Sequence, residues 1–266
     1  MQFKRISDCR RRVVLTTRVL IYLLLFIAFV LLPQTKATAQ KLPFQEGERL
    51  SFDIYWGFLK VGETVMQVLP NTIVNGQRVR HFRLETRTTP FIDLIYKVRS
   101  EIEAFTDLEM KRSVLYKKNH REAGTHRDVL VTFDWEKHKA AYVSFGRQEQ
   151  ETDILPGTFD PLGILYYCRT PNYRNTDRFE RPVTDGKKCV IGRGTLHKKE
   201  RVNIRGMVFD TYVIQPEMLG IEGLFEENQD ARFTLWLTSD HTRKPVKIKI
   251  EVFIGNIVCE LTSPSG

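Results

Sequence analysis

From residue 50 onward, hydrophobic and polar positions alternate with a period of two. Leu50, Phe52, Ile54 and Trp56 share one side of an extended segment, Ser51, Asp53 and Tyr55 the other, until Gly57 interrupts. Such alternation marks a strand with one buried and one wetter face. Residues 60–69 resume the pattern, and Asn75-Gly76 supplies a tight turn before residues 79–86, which predicts a three-stranded meander. The most regular stretch is 96–104, with Val98, Ser100, Ile102 and Ala104 on one face and Lys97, Arg99, Glu101 and Glu103 on the other. Further strands are predicted over 113–119, 128–135, 140–145, 188–192, 196–204, 209–215, 231–237, 246–253 and 257–261. Hairpin tips fall at 136–139, 239–242 and Gly255-Asn256.

Two segments break this rhythm. Thr89-Pro90 opens a short apolar run to Ile95, which suits one or two helical turns. Asp160-Pro161 places a preferred N-cap residue before a preferred first helical residue. Leu162, Leu165, Tyr166 and Arg169 then recur at helical spacing until Pro171. Residues 145–158 and 216–230 are the longest irregular stretches. Roughly a dozen strands and one sure helix imply a mainly β, β-dominated α+β fold. The economical form is a single large curved antiparallel sheet or half-open barrel, with the short helix from Asp160 packed against its concave side, because curling limits exposed edges. No Pro/Gly/Ser linker or repeat divides residues 40–266, so one domain is expected.

The first 39 residues read differently. Lys4, Arg5, Arg10–Arg12 and Arg18 precede an apolar run of 14 residues, Val19–Leu32. As a helix it would span about 21 Å, short of a ~30 Å hydrocarbon core. Pro33 ends the run, and Ala37-Thr38-Ala39 places small residues where signal peptidase needs them, so cleavage before Gln40 is expected. An uncleaved anchor would leave the rest of the chain in the same compartment. Cys9 precedes the apolar run, so no lipoprotein is expected; the protein should be exported and periplasmic or envelope-associated.

Removing this segment changes the charge. Residues 1–39 hold seven of the 41 Lys/Arg and one of the 32 Asp/Glu, leaving 34 basic and 31 acidic residues, a net of +3 in place of +9. Nucleic acid loses its main support as a partner. Cys168, Cys189 and Cys259 remain, with no metal or redox spacing, and are expected to be mostly buried and structural.

Catalytic motifs do not assemble along the chain. His120 and Glu122 share a strand face near His126, but no third ligand follows, so no metal is predicted, and no cofactor either. G-x-S-x-G and Ser-x-x-Lys are missing, and Gly192-Arg-Gly194 is too short to cradle a phosphate. Glu101 and Glu103 read as an ordinary charged face beside Lys97 and Arg99. The basic stretch from Lys187 to Arg205 could meet lipid headgroups, though Lys residues on an exposed strand more often discourage edge pairing. Aromatic residues are the better lead. If the concavity is not filled by its helix, Trp56, Phe91, Tyr96, Tyr166 and Trp236 are the candidate ligand-binding residues for a lipophilic molecule.

Several of these segments together carry a resemblance. Glu46-Gly-Glu48-Arg-Leu-Ser-Phe52, Trp56-Gly-Phe-Leu-Lys-Val-Gly62, Tyr96-Lys-Val-Arg-Ser-Glu101, Phe133-Asp134, Asp160-Pro-Leu and Leu235-Trp-Leu-Thr-Ser-Asp240 through Val246 occur in this order. The chain thereby resembles the exported bacterial family catalogued as domain of unknown function 3108. The resemblance implies secretion and a predominantly antiparallel β fold over nearly all of residues 40–266, and supplies no catalytic residues. The function expected is a non-enzymatic binder of a lipophilic ligand or envelope component. The alternatives are an envelope hydrolase or glycan-processing enzyme with a noncontiguous site, and a protein-binding scaffold working through a sheet edge.

Overall fold

A computed structural model of the protein describes residues 42–217, 232–252 and 255–265. The N-terminal segment read as a signal, and the connection at 218–231, lie outside the described residues. Fourteen strands form one antiparallel sheet in the order β8-β7-β6-β5-β4-β3-β2-β1-β14-β13-β12-β11-β10-β9. Neighbours in the sheet are neighbours in the chain, except where β1 (Arg49–Trp56) pairs with β14 (Gly255–Ser265) and joins the two halves. The first half continues through β2 (Leu59–Val74), β3 (Gln77–Thr88), β4 (Val98–Thr106), β5 (Ser113–Glu122), β6 (Thr125–Asp134), β7 (Lys139–Ser144) and β8 (Arg147–Asp153). The second runs through β9 (Arg178–Thr184), β10 (Cys189–Ile204), β11 (Met207–Glu217), β12 (Arg232–Thr238) and β13 (Pro245–Val252).

The expected curved, unclosed sheet is what the chain forms. Its two edges, β8 and β9, lean together without a ladder. Gln150 and Thr152 donate side-chain hydrogen bonds to the Lys187 carbonyl at 2.6 and 3.0 Å, and Phe159 forms an isolated parallel bridge with Val183. Both edge strands fall where alternation predicts none. β8 reads Arg-Gln-Glu-Gln-Glu-Thr-Asp and is almost wholly exposed, so its backbone ladder to β7 makes the strand rather than a buried face. Charged edges of this kind resist pairing with other chains. The two predicted segments 188–192 and 196–204 merge into one strand, β10, which bulges between Leu196 and Lys198. β9 pairs only as far as Thr195, so Lys198, Lys199 and Arg201 lie on a stretch of β10 that pairs with β11 alone.

Two short helices interrupt the meander, α1 (Pro90–Asp93) between β3 and β4 and α2 (Pro161–Tyr167) between β8 and β9. Asp160 caps α2 as its sequence predicts: its carboxylate accepts from the Leu162 and Gly163 amides at 2.9 and 2.7 Å. Ser113 donates to the same carboxylate at 2.5 Å, pinning the helix start to β5. Burial raises the Asp160 carboxyl to about 6, against the hydrogen bonds that favour its charged form. The apolar face of the sheet wraps α2. Tyr166 stacks on Phe82 with centroids 4.0 Å apart, meets Phe44 edge-on, and donates to the Gln67 carbonyl at 3.0 Å. Phe44, Phe82 and Tyr166 thus fill the concavity around the helix with close-packed aromatic surface.

Arg169, just past α2, is 1% exposed. Its guanidinium makes two bonds to Glu48 at 2.5 and 2.9 Å and donates to the carbonyls of Pro43, Thr242 and Arg243 at 3.0–3.2 Å. One side chain therefore ties the helix to Pro43 and Glu48 ahead of β1 and to the β12–β13 turn. These contacts define a base end of the sheet. The opposite end carries the β1–β2, β3–β4, β5–β6 and β7–β8 connections and is here called the rim.

Candidate functional site

Eight of the thirteen large apolar side chains exposed among the described residues stand at the rim. Trp56, Phe58 and Leu59 stand at the β1–β2 connection, and Phe58 is fully exposed. Phe91, Leu94, Ile95 and Tyr96 occupy the β3–β4 connection, with Leu94 83% and Ile95 78% exposed. Its backbone is ordered locally: Thr89 caps α1, and its amide bonds the Val61 carbonyl at 3.0 Å, which holds the connection against β2. Phe145 adds an exposed ring at the β7–β8 tip, edge-on to His126 of the β5–β6 hairpin at 5.2 Å.

Below the rim, on the face turned away from α2, β2 to β5 line an open groove of about 750 Å³. Register explains its charge. Glu63 pairs with Arg87, Arg87 with Arg99, Arg99 with Arg121, and Arg121 with His126, so four basic residues stand directly opposite one another across β3, β4, β5 and β6. Like charges so placed repel unless partnered. Arg87 is partnered by Glu63 at 2.9 Å. Arg99 is held by both oxygens of Asp93, whose carboxyl is drawn down to about 2 by Arg99 and Thr88. Arg121 makes no salt bridge among the described residues, nor does Lys97 diagonal to it; both line the groove, with the Asn119 amide beside them. Two residues toward the base, Glu85 and Glu101 also stand opposite each other, and Arg83 approaches both at 3.4–3.5 Å.

The other face of the same strands turns polar toward the rim. Thr64 and Thr86 share a hydrogen bond of 2.8 Å, and Lys118 is buried. Glu122 accepts from the Tyr96 hydroxyl at 2.7 Å and meets His120 Nε2 at 2.9 Å. Burial raises the Glu122 carboxyl, but the bonds from His120 and Tyr96 outweigh it and leave it below its ordinary value. His126 lies on the opposite face, so it does not join His120 and Glu122. Among the described residues, no group of three His, Cys, Asp or Glu side chains gathers to hold a metal ion. Nor does any helix among them have the length and apolarity to cross a membrane.

Of the five aromatic residues read from the sequence, Trp56, Phe91 and Tyr96 gather at the rim. Tyr166 is core, stacked under Phe82. Trp236 lies on the outer face of β12, donating to Glu200 at 2.5 Å with Lys247 over its ring. The structure adds Phe58, Leu59, Leu94 and Ile95 to the rim and the Arg87–Arg99–Arg121 row to the groove. The aliphatic neighbours were readable beside Phe91; the row depends on register across three hairpins.

The chain spans 81% of its length in a likeness to the beta-barrel-like protein of domain of unknown function DUF1849 from Brucella abortus, covering 95% of that chain with a TM-score of 0.52 and 12% identity. That likeness is one of fold. No curated protein matches the chain. The model of a protein family of unknown function, DUF3108, matches residues 51–262, from β1 to β14. The chain belongs to that family.

Proposed function

We propose that the protein is exported and works in the periplasm or at the envelope as a non-enzymatic binder of a lipophilic ligand or envelope component. The observation that carries the reading is the rim: seven apolar side chains of the β1–β2 and β3–β4 connections are exposed at one end of the sheet. Contiguous exposed apolar surface of this sort marks interaction sites more often than chance placement. The segment of residues 1–39, with its basic start, apolar run and Ala-Thr-Ala site, supports the compartment. Because α2 fills the concavity, the rim rather than a deep cavity is the surface for the ligand.

Native mass spectrometry and lipid extraction of protein purified from its own envelope test this reading. A bound lipophile is expected in the wild type and should be depleted in a Phe91→Ser/Leu94→Ser/Ile95→Ser variant, which alters only exposed or half-exposed positions. Wild-type protein that yields no lipophile would overturn the reading.

A further inference from the structure

We infer that the groove beneath the rim takes a phosphate-bearing anion, the polar end of an amphiphile whose apolar end lies against the rim. This rests on the reading of the protein as a lipophile binder and names the chemistry of its ligand's head. Within the groove, Arg87 is answered by Glu63 and Arg99 by Asp93, while Glu85 and Glu101 share the one Arg83, which leaves a single carboxylate charge against two further cations. Arg121 and Lys97 remain, with no salt bridge among the described residues and with Arg99 between them.

Of the directly opposed Arg99–Arg121 pair, Arg99 carries its own counter-ion in Asp93, and Arg121 has no salt bridge among the described residues. A phosphate oxygen accepting from the Arg121 guanidinium would supply the counter-charge that residue lacks, and arginine's planar fork suits it. The Asn119 amide on the same face as Arg121 adds a neutral donor. The surroundings carry the same bias: residues 56–60, 87–99, 121–127 and 144–148, which form the rim connections and their flanks, hold seven Lys/Arg and two Asp/Glu.

Spacing favours a head and tail on one molecule. Arg99 lies one residue beyond Val98, where β4 begins, so the cationic row sits within ~10 Å of the β3–β4 connection at ~3.4 Å per residue. That matches the depth over which apolar side chains of surface-bound proteins pass from phosphate level into the acyl boundary.

Calorimetric titration of the full chain with three soluble probes tests the inference. These are dihexanoyl phosphatidate, dihexanoyl phosphatidylcholine and inorganic phosphate, each with wild type, Arg121→Glu and Leu94→Ser. Phosphatidate is expected to bind at least tenfold tighter than phosphatidylcholine. Arg121→Glu should abolish that preference, and Leu94→Ser should weaken both lipids alike. If both lipids bind equally and Arg121→Glu changes nothing, the anion site is wrong while the lipophilic reading stands. If inorganic phosphate binds as tightly as phosphatidate, the groove serves a free anion and the head-and-tail assignment falls. If no probe binds, both readings fall together.

Discussion

The Glu48–Arg169 pair should be the most consequential polar contact of the fold. Arg169 is 1% exposed and Glu48 5%, and the guanidinium makes five hydrogen bonds, two to Glu48 and three to backbone carbonyls. Two rings lie beside it, Phe44 at 5.1 Å and Tyr166 at 5.9 Å. Deleting one partner of such a pair leaves an uncompensated buried charge, at about 3–5 kcal/mol. Glu48→Gln keeps shape and isolates that charge, so it should lose about this amount. Arg169→Met should lose at least as much, since the carbonyls of Pro43, Thr242 and Arg243 also lose their donor, at roughly 1–3 kcal/mol for each left dry. Against a total of about 5–15 kcal/mol, either change brings the domain toward its unfolding threshold.

The double variant Glu48→Gln/Arg169→Met separates the charge from the scaffold. It removes both ions, so the isolated-charge penalty disappears and only the three carbonyls remain unanswered. Its loss should therefore fall short of the sum of the singles by about 2–3 kcal/mol, a coupling measurable by a double-mutant cycle. Urea unfolding followed by far-ultraviolet circular dichroism and tryptophan fluorescence reads all four proteins; coincident transitions with unchanged slopes license the comparison. Additive losses, or single variants each within 1 kcal/mol of wild type, would refute the claim that this buried charge pair holds α2 to the base.

Asp160 predicts a pH dependence. Its carboxyl sits near 6 folded and near 3.8 unfolded, so the folded state binds the extra proton between those values and stability falls as pH rises from about 4 to 6. Two units correspond to roughly 3 kcal/mol. Asp160→Asn keeps an acceptor for the Leu162 and Gly163 amides and should cost less at pH 7.5 than at pH 4.5; equal losses at both would count against the buried charge. At Gly62 an added Cβ would meet the Arg87 carbonyl oxygen at 2.6 Å, so Gly62→Ala should lower stability by about 1–3 kcal/mol in urea unfolding, and a neutral result would mean the β2–β3 ladder gives way freely. Cys168 and Cys259 are buried, with burial pushing each thiol up to about 12, while Cys189 is part-exposed. A thiol-specific reagent should therefore label Cys189 first among these three in the folded protein, and equal labelling rates would contradict the packing.

What the sequence made legible follows from which forces leave a local mark. Burial of one strand face writes itself as alternation, so β1 to β7 were readable, and Asp160-Pro161 announced α2 because capping is a contact between near neighbours. β8 and β9 left no such mark. Edge strands with exposed side chains are held by backbone ladders, and a ladder places no demand on residue type. The five aromatic candidates show the same division. Residue type says that a ring is apolar, not which side of a curved sheet it meets. Alternation nevertheless carried a clue for Trp236, since Leu235 and Leu237 take the buried face and leave it the other. The cationic row was invisible for a different reason. Arg99 and Arg121 are separated by a connection and most of two strands, and their opposition appears only once register is known.

The two ends of the sheet are unequal because the core is spent at one of them. α2 enters near the base, and Phe44, Phe82 and Tyr166 close around it, so the sheet's apolar face has its partner there. Toward the rim, the same face carries the Thr64–Thr86 bond, buried Lys118 and the His120–Glu122–Tyr96 chain. Folding Phe91, Leu94 or Ile95 inward over these groups would strip water from them without replacing its hydrogen bonds, at a cost that an apolar contact of about 1.5–3 kcal/mol per side chain does not recover. The rim side chains are thus kept outside by the chemistry beneath them. An apolar surface that the fold itself cannot cover is available to a ligand without any rearrangement of the core. On the proposed reading, the cationic groove on the outer face would then select the polar head that accompanies it.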